Sequence, residues 1–350
     1  MNPMKKILRP VALFGALFLA ACGSGADNGE GAADAGEVNL YTARHYDSDL
    51  ELYDRFTSET GIKINRIEGN ADQLIARMRS EGERSPADLF VTADAGALWR
   101  AQQAGVLQPI QSDLLAQRVP ANMREPDGNW YGFTRRARVI AYNPQQVRPD
   151  EVDTYEDLAS PRFRGRLCVR SSDSIYNLSL VGALIEAWGE ERTEEWARGI
   201  VSNMARPPEG GDRDQIRAVG AGICDVAITN SYYFIRMGSA DSGDSEIAGR
   251  LRLAFPSLEG AGSHVNISGG GVAAHAPNRG NAIRLLEFFA SPEVQQHFAR
   301  KNNEFPVDPA TTAPAPVDSY AGFEAHPMPV AAFAAYQPRA QAIMSKVGWR

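Results

Sequence analysis

The chain has 350 residues, 43% of them apolar and 23% charged, and a formal charge of −7. That balance suits a folded chain of one large or two ordinary domains and excludes a disordered chain or a membrane bundle for its body. The excess of acid argues against nucleic acid or an anionic membrane surface as a partner.

Lys5, Lys6 and Arg9 precede an apolar run, 11–21, that is too short to span a bilayer. This is the pattern of a secretory signal peptide over 1–21. Its ending, Leu19-Ala20-Ala21-Cys22, resembles the bacterial lipoprotein box, which would make Cys22 the lipidated mature N-terminus. The alternative is an ordinary signal peptide with an incidental cysteine. Residues 22–36 are rich in Gly, Ala, Ser, Asp and Asn, the composition of a flexible tether. Loss of 1–21 removes Lys5, Lys6 and Arg9 and no carboxylate, so the remainder is more acidic still.

Residues 37–41 read as a first strand, followed at Tyr41-Thr42-Ala43-Arg44-His45-Tyr46 by a polar and aromatic stretch. Asp47-Ser48-Asp49 can cap a helix over 50–60 with Leu52, Tyr53 and Phe56 on one face, stopped by Gly61. A strand over 62–67, a helix over 71–82 capped by Asn70, and a strand over 87–92 follow. The alternation predicts an α/β sheet built from crossover units. After a helix over 97–104, two strands are expected, at 129–134 and 138–143, with Arg135, Arg136 and Arg138 in the basic stretch between them. The second is the expected first connection between two lobes.

A second α/β unit then opens with a short helix capped at Thr154, a strand at 167–169 and helices over 177–189 and 193–203. Ile223-Cys224-Asp225-Val226-Ala227-Ile228-Thr229 reads as a buried strand. Tyr232 and Tyr233 fall in the loop past its carboxyl end, where α/β sheets bind ligands. Residues 251–256 are the expected return connection and 272–275 a strand of the first lobe. Helices are expected over 281–290 and from Pro292 onward, a turn at 302–307, and a final helix over 332–344. Gly269-Gly270-Gly271 reads as a turn between strands near the cleft, since no Gly-Lys-Ser/Thr follows it. No Ser-His-Asp order, nucleophilic cysteine or paired-carboxylate motif stands out, which favours a binder over an enzyme.

With Cys22 assigned to the lipid, Cys168 and Cys224 form an even pair in an oxidising compartment. A disulfide is expected if their strands are neighbours; two buried thiols are the alternative. A chain that crosses between α/β lobes and returns is a two-lobe clamp, with its ligand between the lobes. The expected division is 37–137 plus 257–308 for the first lobe and 138–256 plus 309–350 for the second.

An exported, tethered two-lobe chain with Ser291-Pro292-Glu293-Val294-Gln295-Gln296 near its end resembles the solute-binding proteins of bacterial ABC importers. Three stretches narrow the resemblance: Val38-Asn39-Leu40-Tyr41-Thr42-Ala43-Arg44-His45-Tyr46, Arg170-Ser171-Ser172-Asp173-Ser174-Ile175-Tyr176-Asn177 and Asn230-Ser231-Tyr232-Tyr233. They resemble the ferric-ion-binding members, the cyanobacterial-type iron-binding proteins in particular. The resemblance covers essentially the whole mature chain. It implies an α/β, two-lobe periplasmic-binding-protein fold of type II with the ligand in the interdomain cleft.

It also implies a metal held by one histidine and four tyrosines. The matching positions are His45 and Tyr46 from the first lobe and Tyr176, Tyr232 and Tyr233 from the second. The cargo would be Fe3+, with Fe2+ as the other oxidation state. Phenolate is a hard anionic donor and Fe3+ a hard cation. Four phenolates and Fe3+ carry one net negative charge, which Arg136 and Arg236, the family's matching arginines, and Arg44 behind them, could offset. The implied partners are an ABC permease and ATPase, with a monomer, lipid-anchored in the periplasm or at the cell surface, delivering the ion. Two other readings remain: a small-anion binder of the same fold, which the arginines would suit, and an exported hydrolase with a metal-bound water, which needs an open coordination position. His264, His275, His297 and His326 are expected to be structural.

Overall fold

The computed structural model describes residues 35–350. The signal peptide, Cys22 and all but the end of the tether lie outside the described residues. Among those residues, no helix is long and apolar enough to cross a membrane.

The first half of the chain lays down β1 (Glu37–Thr42), α1 (Ser48–Thr60), β2 (Lys63–Glu68), α2 (Ala71–Glu81), β3 (Leu89–Thr92), α3 (Ala95–Gln103) and α4 (Asp113–Arg118). Gly61 closes α1 at φ 73°, and the Asn70 side chain caps α2 by accepting from the Asp72 N–H. Leu52, Tyr53 and Phe56 on α1 are buried, as their spacing predicts. The long strand β4 (Tyr131–Tyr142) follows, then β5 (Leu167–Cys168), α5 (Ile175–Trp188), α6 (Glu190–Asn203), α7 (Asp212–Gly220), β6 (Val226–Asn230), α8 (Ser231–Met237) and α9 (Ser245–Arg250). The remainder is β7 (Arg252–Ala254), β8 (Val265–Val272), α10 (Arg279–Phe289), α11 (Pro292–Asn302), β9 (Phe305–Pro306), α12 (Val330–Ala334) and α13 (Gln337–Lys346).

The strands run in the order β2-β1-β3-β8-β4-β6-β5, with β7 and β9 also paired to β4. The strand β4 is the axis. Its residues 131–137 pair antiparallel with β8, and its residues 138–142 pair with β6 and β7. One strand thus belongs to two sheet regions, and it changes partners between Ala137 and Arg138.

Several sequence expectations are corrected here. The two strands expected at 129–134 and 138–143 are one. The intervening arginines do not interrupt it, because Arg136 and Arg138 are buried against carboxylates. The triple glycine is the centre of β8 rather than a turn. A Cβ on Gly271 would meet the Asn129 carbonyl at 2.4 Å, and one on Gly269 the Tyr131 carbonyl at 2.6 Å, so neighbouring backbone fills the space of a side chain. The strand expected from Ile223 starts at Val226, and Ile223 itself is 49% exposed. The last helix is two, α12 and α13. The disulfide expected between Cys168 and Cys224, by contrast, is formed.

The C-terminal elements join the two regions. The helix α12 lies against both α3 and α5. At the start of α13, Gln337 Nε2 donates to Asp94 Oδ2 (3.0 Å), at the N-terminus of α3, and to Ser179 Oγ (2.9 Å), in α5. Ser179 Oγ in turn donates to Asp94 Oδ1 at 2.6 Å. All three residues are buried.

Candidate metal site

Four tyrosines meet where the two sheet regions adjoin. Tyr46 lies between β1 and α1. Tyr176 is the second residue of α5, and Tyr232 and Tyr233 form the first turn of α8. The pair sits on a helix rather than in the expected loop, because β6 runs directly into α8 without a connection. Its position past the carboxyl end of β6 is the expected one. The Tyr176 and Tyr232 hydroxyls are 3.1 Å apart, and the Tyr232 and Tyr233 ring centroids are 4.1 Å apart. Tyr232 is buried and the other three are partly so.

Beneath the phenols lies a buried layer of ion pairs. Arg136, on β4, places its guanidinium 5.9 Å from the Tyr232 ring centroid. It donates to Glu304 Oε1, to Ser268 Oγ (2.5 Å) and to the Ala93 carbonyl (3.1 Å). Arg44 lies 4.7 Å from the Tyr46 ring centroid, donates to Glu304 Oε2 (3.2 Å) and pairs with Asp49 through Nε (2.9 Å). Thr134 Oγ1 also donates to Glu304 Oε2, at 3.0 Å. Two residues along β4, Arg138 donates to both Asp212 oxygens (3.1 Å), to Asn230 Oδ1 (3.1 Å) and to Asn177 Oδ1 (2.8 Å). Its guanidinium is 5.8 Å from the Tyr176 ring centroid. Arg170 lies over the same ring at 5.4 Å. Its carbonyl accepts from Asn177 Nδ2 (3.0 Å) and Trp349 Nε1 (2.9 Å), which fixes the start of the segment leading to Tyr176.

Burial and local charge keep Tyr46, Tyr176 and Tyr232 protonated when no cation is present. Burial pushes Tyr46 up to about 12, with the Glu304 carboxylate adding to the rise and Arg44 and Arg136 opposing it. Burial, then Tyr233 and Tyr46, push Tyr176 well above its ordinary range, against the hydrogen bond with Tyr232, and burial with the other three phenols does the same for Tyr232. Burial would raise Glu304 as well, but Arg44 and Arg136 prevail and hold it below the usual carboxylate range. The result is a compact set of oxygen donors in which burial and neighbouring phenols oppose ionisation of Tyr46, Tyr176 and Tyr232. A small, highly charged, hard cation would relieve that opposition. Among the described residues, no group of three or more His, Cys, Asp or Glu could hold a metal.

Of the remaining sequence candidates, His45 and Arg236 stand apart. His45 is beside Tyr46 in sequence, but its side chain is 57% exposed and its Nδ1 lies 3.8 Å from Glu68 Oε2. The contacts that join the four phenols do not include it. Arg236 donates to the Lys301 carbonyl at 3.1 Å and takes no part in the phenol contacts. Arg44 and Arg136 are both in the layer under the tyrosines. Glu304, on which those two arginines converge, was not among the sequence candidates. Its surroundings, Asn302-Asn303-Glu304-Phe305-Pro306, read only as a turn, and its buried setting was the missing signal.

Two sheet regions sharing one strand, with donors gathered at their junction, define a type II periplasmic solute-binding protein. Residues 84–324 match the family described as bacterial extracellular solute-binding protein, and the chain belongs to it. Within it, the chain is 46% identical over 321 residues to iron uptake protein A2 of Synechocystis, covering 91% of each chain. It is 44% identical over 339 residues to iron uptake protein A1 of the same organism, covering 96% of this chain and 94% of that one. Among solved structures, it is similar to the Trichodesmium protein IdiA (FutA) in complex with iron and citrate, with a TM-score of 0.86 and 48% identity over 90% of this chain and all of that one. The apo FutA2 structure from Synechocystis gives 0.84 and 47% identity over 90% of this chain and 99% of that one.

Proposed function

We propose that this protein captures ferric ion outside the cytoplasmic membrane and delivers it to the permease of an ABC importer for iron uptake. The observation that carries the reading is the gathering of Tyr46, Tyr176, Tyr232 and Tyr233 around a desolvated point, over a buried layer that includes Arg44 and Arg136. The ion is cargo. It would be held by the four phenolates, each released from its proton on binding. His45 would join them only by turning from Glu68 toward Tyr46. The lobes would divide near Ala137 on β4, where the strand changes partners. The same reading has the mature chain act as a monomer tethered through lipidated Cys22.

The small-anion reading fits less well at this point. Arg44, Arg136 and Arg138 are already bonded to Asp49, Glu304 and Asp212, so a free anion would have to compete with buried carboxylates.

The test is a visible spectrum of the protein without residues 1–21, titrated with ferric nitrilotriacetate. Ferric tyrosinate gives a charge-transfer band, expected for the wild type and absent when Tyr232→Phe and Tyr233→Phe are combined. A wild type that stays colourless, or a double variant with the full band, overturns the assignment.

A further inference from the structure

The C-terminal ends of α8 and α11 border a groove of about 760 Å³, within the usual size range of small-ligand sites. None of the four tyrosines lines it. Its charge is the reverse of the chain's. Arg213, Arg217 and Arg236 line it from α7 and α8, and Arg300 and Lys301 from α11, against Asp241 and Asp244. The whole chain has 36 basic residues against 43 acidic ones, so this surface departs from the composition around it.

The partners of these cations set the groove apart from an ordinary solvated face. Arg217 is paired to Asp214 (2.9 Å) and Asp244 (2.7 Å), and Lys301 to Glu51 (3.1 Å). Arg236 and Arg300 have no carboxylate partner among the described residues; Arg213 makes no direct ion pair there, and its charge acts on Asp214 and Asp244 from further off. Arg236 is partly buried, held by its bond to the Lys301 carbonyl, which also keeps the two walls together. Unpaired guanidinium groups brought close together repel one another, and a multivalent anion between them would replace that repulsion with charge-assisted hydrogen bonds.

We propose that this groove is a binding site for a small multivalent oxyanion, a polycarboxylate or a phosphate, bridging the α7–α8 wall and the α11 wall. The site is independent of the ferric reading. Where that reading holds, it adds a function: an anionic iron chelate would be drawn to the helix whose first turn carries Tyr232 and Tyr233.

The experiment is calorimetric titration of the iron-free protein with citrate and, separately, inorganic phosphate at low ionic strength. It is repeated with the combined variant Arg213→Ala and Arg300→Ala. Binding of at least one anion is expected, weakening by about tenfold or more in the variant, since each lost charged hydrogen bond costs roughly one decade. The binding should also weaken with added salt. The anion that binds identifies the source. Binding of neither anion, or equal binding in the variant, overturns the proposal. The ferric nitrilotriacetate band of the same variant reports on the tyrosines alone, so loss of one reading leaves the other standing.

Discussion

The two halves of β4 use the same device differently. Each presents a buried arginine under a tyrosine and pairs it with a buried carboxylate: Arg136 with Glu304 beneath Tyr232, and Arg138 with Asp212 beneath Tyr176. Asp212 serves one arginine and accepts in addition from the Asn230 N–H. Glu304 serves Arg136 and Arg44 together, along with Thr134. The first half therefore concentrates its charge on one carboxylate that comes from far along the chain, whereas the second spreads it over neighbours that also position Tyr176. The first half sets the field of the site, and the second holds most of the donors.

The largest effect separating them should come from pH. All three perturbed phenols are protonated at neutral pH, so a cation must displace their protons and its affinity rises with pH. Ferric affinity, measured against a competing chelator, should fall by about one decade for each unit by which pH is lowered, per proton released. A flat profile would mean that the phenols are not the donors.

Next is Glu304→Ala, which strands buried Arg136, takes from Arg44 one of its two carboxylates, and should cost about 3–5 kcal/mol in urea denaturation. Removing the disulfide by Cys168→Ser with Cys224→Ser should cost about 2–4 kcal/mol and should leave the first half's contacts intact. Asp212→Asn retains a hydrogen-bond acceptor and affects only one arginine. It should cost less, about 1–3 kcal/mol. If it matched Glu304→Ala, the distinction between the halves would fail.

The smallest effect lies at the seam. His264, whose carbonyl accepts from the Arg138 N–H, is pushed from 6.5 to about 3 by burial, with Arg138 and His326 adding to the fall. The fold favours its neutral form. That contribution is whole above pH 6.5 and is lost as pH falls toward 3. His264→Gln should flatten the decline of melting temperature over that window.

Most of the fold was legible because hydrophobic spacing and end signals agree. Gly61 stops α1, Asn70 caps α2, and Pro292 opens α11. The tyrosines were legible through three stretches in order. What the sequence hid is what depends on distant partners. Arg136 meets a carboxylate 168 residues away and Arg44 one 260 residues away, so a charged run that looks like a loop is the interior of a strand. The triple glycine hides for a related reason. Its conformational freedom suggests a turn, but its small size lets the sheet close on its neighbours. The α7 helix was missed altogether; it starts without a side-chain cap, after the Gly210-Gly211 pair.

Trp349 is 1% exposed, and its indole N–H holds the Arg170 carbonyl ahead of Tyr176 across 179 residues of sequence. A chain that emerges N-terminus first cannot finish this loop early. Tyr176 acquires this brace only once residue 349 has followed, so the loop ahead of it stays incomplete until nearly two hundred later residues have joined the fold.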